Sequence, residues 1–390
     1  MMSVLNIIVP VIISAALTAL MVPLIIRLSY KKKLCDTIDE RTVHSGIVPR
    51  LGGGAFILSV VVAVVIAVMM CSNDEAACRL TPQSSWVQYV ALIGAAMIIY
   101  VAGLWDDIKR LDYKMKFACQ LASALLVVLV GGFWIGDFHG LLGIWSLPSV
   151  VGKAFSVLLI MYIINAFNLI DGIDGLAASL GFIASAVMGV LLLMSGQEVM
   201  AVLSFALAAS LAVFFCFNKF GSTGNRTKIF MGDGGSQTMG LIVAFLVVFV
   251  SSGESHCAGA NPALQSPVVP FCLIIIPCFD AVRVMVGRIK KGNNPFLPDK
   301  THIHHELMRI GFSASRTLAV LLMLDICLIL VNIVLALADI NIDANMDVDS
   351  KLEACLRINI ILVLDIVIWL CINRWLNRRI SMVERKGNRQ

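Results

Sequence analysis

The sequence predicts an all-α, polytopic integral membrane protein of about 11 transmembrane helices, with its N-terminus outside and its C-terminus in the cytoplasm. Three observations carry that reading. The first is composition: of 390 residues, 59% are hydrophobic and 14% charged. Soluble domains average about 45–50% apolar and about 25% charged. The second is that the apolar residues fall into blocks near the roughly 20 residues needed to cross a hydrocarbon core. The blocks run Val4–Leu28, Gly54–Met70, Trp86–Leu104, Lys116–Gly132, Gly152–Leu169, Leu176–Met194, Val199–Phe217, Ser236–Val250, Val268–Val286, Ser315–Ala338 and Cys355–Ile372. They are continuously apolar, which excludes a porin-like barrel with its alternating strands. The third is charge placement. With the N-terminus outside, all but Arg79, Lys153, Lys351 and Arg357 of the 30 basic residues fall on the inner side. Such a bias fixes orientation.

The elements follow in order. No basic residue precedes the first block, which outruns a signal core and is followed by Arg27 and Lys31-Lys32-Lys33. It reads as a first span rather than a cleaved signal peptide. The outer loops, acidic at Ala338–Ser350 and Gly/Ser-rich at Ser251–Gln265, read as solvated connectors. Most of the 11 cysteines lie inside spans and read as small apolar residues. Cys71, Cys78, Cys257 and Cys355 fall near the outer face, where an oxidised pair is allowed but not dictated. Little chain remains for a soluble domain, so residues 1–390 read as one transmembrane domain.

The polar residues that could carry chemistry gather in four inner loops. The third loop opens Gly103-Leu104-Trp105-Asp106-Asp107. Adjacent carboxylates at a helix end repel and call for a cation or a proton, unless they are simply solvated beside Lys109 and Arg110. The fifth reads Asn165-Ala166-Phe167-Asn168-Leu169-Ile170-Asp171-Gly172-Ile173-Asp174-Gly175. Asn165, Asn168, Asp171 and Asp174 recur every third residue, which on a helix is one polar stripe. An ordinary Asp-Gly turn would not need asparagines inside the preceding span. The seventh ends Phe230-Met231-Gly232-Asp233-Gly234-Gly235-Ser236. Its Gly-rich turn at a helix start can offer N–H groups to phosphate, and Asp233 can hold a hard cation or merely cap the helix. The ninth carries Lys300-Thr301-His302-Ile303-His304-His305, three of the chain's six histidines. Helical spacing would put His302 and His305 on one face and turn His304 away. These imidazoles suit either a transition-metal site or a phosphate clamp with Lys300. The carboxylate-rich surroundings favour the clamp and Mg²⁺. Together the four loops suit metal-assisted phosphoryl transfer to a lipid phosphate at one membrane face.

With those motifs in place, the chain resembles the polyprenyl-phosphate N-acetylhexosamine-1-phosphate transferases, closest to their bacterial UDP-GlcNAc:undecaprenyl-phosphate branch. The resemblance covers nearly the whole chain, including Pro49-Arg50-Leu51-Gly52-Gly53, Asp106-Asp107, Asn165–Leu176, Phe230–Ser236 and the ninth loop. His302-Ile303-His304-His305 looks like the GlcNAc-1-phosphate branch. The related phospho-MurNAc-pentapeptide transferases carry three consecutive histidines. The resemblance implies transfer of a sugar-1-phosphate from a UDP-sugar donor to a polyprenyl phosphate acceptor in the membrane, releasing UMP and requiring Mg²⁺ or Mn²⁺. It implies Asp233 and Asn168 as metal ligands, and Asp106 as the base with Asp107 beside it. Asp174 would hydrogen-bond uracil, Phe230 would stack on it, and Asp171 joins the substrate-binding set. His302, His304, His305 and Arg288 would contact phosphate or sugar. Asn218 matches the family's Phe-Asn, although Lys219–Thr227 is longer than the family pattern. The inner (plasma) membrane, a cytoplasmic active site and a homodimer are further expectations, with no nucleic-acid partner. Another UDP-HexNAc or UDP-MurNAc-pentapeptide is the alternative donor. A proton-coupled transporter is the alternative of another class, because Asp325 and Asp365 lie inside spans.

Overall fold

The computed structural model describes residues 4–32, 34–36, 48–70, 86–252, 267–294, 301–337 and 348–387. The described residues are α-helical almost throughout. Helices α1 (Val4–Lys32), α2 (Gly53–Met70), α3 (Trp86–Lys109), α4 (Tyr113–Leu125), α5 (Ser149–Ile170), α6 (Leu176–Met194), α7 (Glu198–Phe220) and α8 (Gly232–Ser251) come first. A π-helical turn, Leu126–Val130, extends α4. Then follow α9 (Val268–Cys272), α10 (Ile275–Lys290), α11 (Ile303–Arg309), α12 (Ala314–Leu337) and α13 (Val348–Gly387). A short antiparallel pair, β1 (Cys35–Asp36) and β2 (Val48–Pro49), leads into α2.

Ten helices among the described residues are long and apolar enough to cross a membrane, which makes the chain a multi-pass membrane protein. Ten of the eleven apolar blocks thus appear as continuous helices. The block Val268–Val286 does not, because α9 ends at Cys272 and α10 restarts at Ile275. Two prolines account for the break. Pro277 has no N–H to give a carbonyl one turn earlier, and Pro270 sits in the five-residue α9.

The core is built around α8, whose spanning window is wholly buried. It packs against α5, α3, α2 and α6, while α1 and α6 pack against α7. Small polar residues let α1 and α7 meet closely: Ser14 and Ser210 hydroxyls lie 2.7 Å apart and Thr18 donates to Ser210 at 3.0 Å. Helices α12 and α13 pack along the outside. Leu330, Val334, Leu356 and Val363 are exposed there, as lipid-facing residues are. Two carboxylates are enclosed in this flank. Asp365 accepts a hydrogen bond from Asn332 at 2.9 Å, whereas buried Asp325 has no hydrogen-bond partner for either oxygen.

Cys355 is a free thiol that donates to the Gly140 carbonyl at 3.1 Å. Cys71, Cys78 and Cys257 lie outside the described residues, as do Lys300, nearly all of the connector Ser251–Gln265, and Ala338–Asp347 of the acidic loop.

Candidate active site

The C-terminal ends of α3 and α5 meet the N-terminal ends of α4 and α8 at one end of the bundle. Glycines set that meeting. A Cβ on Gly103 of α3 would overlap the Gly234 backbone, and one on Gly53 of α2 would overlap Gly235. Three helices therefore touch backbone to backbone at the start of α8. Gly232 turns the chain into that helix with φ +72°, a left-handed conformation that favours glycine. The segment before it is clamped by main-chain bonds. Phe230 N–H donates to the Pro49 carbonyl at 2.8 Å, and the Gly52 and Gly53 N–H groups donate to the Phe230 and Met231 carbonyls at 3.0 Å each. The Pro49–Gly53 motif is thus the backbone partner of the Phe230–Asp233 motif.

The two adjacent aspartates do different things. Asp107 accepts from the Asp233 N–H at 2.8 Å and from the Gly234 N–H at 3.0 Å. It caps α8 from a neighbouring helix and answers the positive end of that helix dipole. Asp106 points to α4, where it forms an ion pair with Lys116. Its other oxygen accepts from the Leu111 N–H at 2.5 Å. Lys116 also donates to Asp233 at 2.6 Å, so one ammonium joins both carboxylates. From α5, Asn168 donates to Asp233 at 3.1 Å and to the Ser236 hydroxyl at 2.9 Å. Behind this set an amide relay joins α4, α5 and α8. Asn165 donates to Gln120 at 2.7 Å, and Gln120 donates to Gln237 at 3.1 Å.

Asp171 follows the last turn of α5. Burial, then the charges of Asp233, Asp174 and Asp107, push its carboxyl up to about 7. Asp174 is held by Lys228 at 2.6 Å. Asn218 is spent on backbone: it accepts from the Gly175 N–H at 2.6 Å and donates to the Ile229 carbonyl at 2.8 Å. It braces the turn that presents Asp174 and the irregular segment that carries Lys228 and Phe230.

The histidines are ordered by a residue inside an apolar block. Asp280 of α10 is fully buried and meets His302 Nδ1 at 2.9 Å. It also accepts from the Ile303 N–H at 3.0 Å and from Arg283 at 2.8 Å. Arg283 in turn pairs with Glu306 at 2.7 Å. Because His302 sits before α11 in extended conformation, the helical spacing of His302 and His305 does not apply. Instead the His302 and His304 rings stack, with centroids 5.8 Å apart at 13°. The face prediction fails because the helix begins one residue later than the spacing assumed. Buried His304 fits over Gly172, where a Cβ would overlap its ring. Burial and the nearby His305 hold its imidazole down at about 3, so it is neutral. His305 is half-buried, with its ring centroid 4.3 Å from that of His304. Arg288 is buried on α10, about two turns beyond Asp280.

Asp106, Asp107, Asn168 and Asp233 are thus in direct contact or share Lys116, and Gly172 carries His304 beside Asp171. Lys116, Lys228, Asp280 and Arg283 are contributors that motif reading missed. Asp280 had a signal, an acid within an apolar block with Arg283 three residues on; Lys116 reads as one more inner-loop charge. Asp233 and Asp106 offer carboxylate oxygens, the ligand type a hard cation such as Mg²⁺ or Mn²⁺ prefers, and an ammonium already fits between them, while Asn168 turns its amide nitrogen to Asp233. Among the described residues no group of three His, Cys, Asp or Glu converges as a metal cage.

The helical membrane bundle gathers acidic, glycine and histidine clusters at one end, and the comparisons place it in a class of membrane-embedded transferases. Residues 89–251 match the model of glycosyl transferase family 4. The chain belongs to that family of sugar-phosphate transferases. It is similar to the "Probable undecaprenyl-phosphate N-acetylglucosaminyl 1-phosphate transferase" of Bacillus subtilis (strain 168), 32% identical over 86% of each chain. It is 30% identical to the undecaprenyl-phosphate alpha-N-acetylglucosaminyl 1-phosphate transferase of Escherichia coli (strain K12), over 74% of this chain and 73% of the other. The Yersinia pestis enzyme of the same name is 29% identical, over 79% and 78%.

Proposed function

We propose that the protein transfers GlcNAc-1-phosphate from UDP-GlcNAc to undecaprenyl phosphate, giving a sugar-diphosphate lipid and UMP at the cytoplasmic face of the inner membrane. The observation that carries this is the joining of Asp106 and Asp233 by Lys116 at the glycine-packed start of α8. The names of the relatives support the substrates. The inward bias of basic residues supports the orientation.

In the proposed reaction an oxygen of the lipid phosphate attacks the sugar-linked phosphorus of the donor. The bond from that phosphorus to the bridging oxygen breaks, and UMP departs with the electron pair. A phosphate monoester has a second pKa of about 6, so much of the acceptor is dianionic near neutrality and Asp106 has little proton to remove. A divalent cation held by Asp233, with Asp106 and Asn168 beside it, would supply charge neutralisation for the diphosphate. Asp107 keeps the α8 N-terminus and Asp233 in register. Lys228 and Asn218 hold Asp174 and Phe230, which face the uracil in this reading. Asp280 and Arg283 fix His302 and α11 against the fifth loop, where His302, His304, His305 and Arg288 would meet phosphate or sugar.

Product mass spectrometry with competing donors tests the sugar. A dominant product from another UDP-HexNAc or from UDP-MurNAc-pentapeptide would overturn the GlcNAc assignment. A phosphorylated enzyme trapped with donor alone would replace direct attack by an aspartyl-phosphate on Asp106.

A further inference from the structure

A basic cavity lies across the α7 terminus from the acidic site. Its volume is about 560 Å³, and its lining combines Arg27, Tyr30 and Lys31 of α1 with Phe217 of α7 and Arg226 of the following turn. That turn belongs to the segment Lys219–Thr227 that exceeds the family pattern. It is a closed structure: Thr227 N–H donates to the Ser222 carbonyl at 3.0 Å, and Ser222 N–H donates to the Thr227 hydroxyl at 2.9 Å. Arg226 adopts the left-handed region at φ 51°, unusual for a residue with a side chain. Its guanidinium sits 5.2 Å from the centre of the Tyr30 ring.

Three cations around an apolar wall of Pro23, Ile26 and Phe217 are a poor arrangement for a solvated surface and a good one for an anion with an apolar body. The position agrees. Toward the middle of α1 and α7, the Ser14–Ser210 and Thr18–Ser210 contacts close the two helices together, and the cavity opens beyond them at the helix ends. By helical periodicity the lining residues lie between the buried face of α1 and an exposed stripe of Leu20, Leu24 and Leu28, which are 70%, 48% and 46% exposed. An acyl chain lying on that stripe would bring its phosphate between Arg27, Lys31 and Arg226.

We propose that this cavity binds the phosphate of an anionic membrane lipid, separately from the acidic site. Thr227 precedes Lys228, whose ammonium grips Asp174, so a lipid held by Arg226 braces the irregular segment that carries one wall of the active site. Recognition is by phosphate charge and an apolar tail, with Tyr30 holding Arg226 in place.

The test is native mass spectrometry of the full chain in detergent, titrated with palmitoyl-oleoyl phosphatidylglycerol and, separately, with palmitoyl-oleoyl phosphatidylcholine. The wild type should bind phosphatidylglycerol preferentially. Arg27→Ala and Arg226→Ala should each weaken it about fivefold, and the double variant about thirtyfold. Lys32→Ala, exposed on the same turn but outside the cavity, should leave it unchanged. Equal affinity in wild type and double variant would overturn the proposal, as would an equal loss with Lys32→Ala. Displacement of the lipid by equimolar inorganic phosphate would assign the cavity to a free anion instead. Both arginines are exposed, and size-exclusion profiles check that the variants fold; each single variant carries the test alone if the double does not. Binding is read without turnover, so the result is independent of the sugar-phosphate reaction.

Discussion

The Lys116 ammonium on α4 donates to Asp233 of α8 at 2.6 Å while also pairing with Asp106 of α3. One cation thereby ties three helix ends at the point where carboxylates would otherwise repel. Lys116→Ala is expected to lower turnover about hundredfold, the scale of losing one preorganised electrostatic group. Steady-state assays of wild type, Lys116→Ala and Lys116→Arg would check it, with arginine restoring part of the loss. Wild-type turnover in the alanine variant would remove Lys116 from the site.

Asp107 spends both oxygens on backbone N–H groups of α8, so its role is to position Asp233. Asp107→Asn keeps one acceptor and should retain measurable turnover. Asp107→Ala loses the cap and should cost about 1 kcal/mol or more of stability, with a larger fall in activity. Thermal unfolding and turnover of the pair separate the two roles. If asparagine and alanine were equally inactive at unchanged melting temperature, Asp107 would be a chemical participant instead.

Gly103 lies against the Gly234 backbone with no room for a Cβ. Gly103→Ala should push α3 from α8, costing about 1–3 kcal/mol and separating Asp106 from Asp233. The expected outcome is a lower melting temperature together with lost activity. A fully active, equally stable variant would show that the helix contact does not set the site.

Asp325 is buried in α12 without a hydrogen-bond partner for either oxygen, while Asp365 is paired with Asn332. Removing an unpartnered buried carboxyl is neutral to stabilising, so Asp325→Leu should leave melting temperature equal or higher and turnover within about twofold. Loss of activity in that variant would revive a mid-membrane proton path.

The spans were legible because hydrocarbon demands long apolar runs, and ten of eleven blocks became single helices. The exception, at Leu273–Ile274, carried its warning in Pro270 and Pro277, which hydropathy does not weigh. Asn168 and Asp233, 65 residues apart, met as the family resemblance implied. The other long-range pairings, Asp107 with Gly234 among them, were silent in the sequence. Lys116 resembles any inner-loop lysine until α4 folds back beside α8. The stacking of His302 on His304 depends on where α11 begins, a boundary set by Asp280 22 residues earlier in the chain.

The nucleotide released distinguishes transfer of a sugar-phosphate from transfer of the sugar alone. Wild type and Asp233→Ala, purified in detergent, would be incubated with UDP-GlcNAc, undecaprenyl phosphate and Mg²⁺, and the nucleotides separated by chromatography. UMP is expected from the wild type only when lipid and Mg²⁺ are both present, and none from Asp233→Ala. Release of UDP instead of UMP, or undiminished UMP from Asp233→Ala, would contradict the proposed reaction.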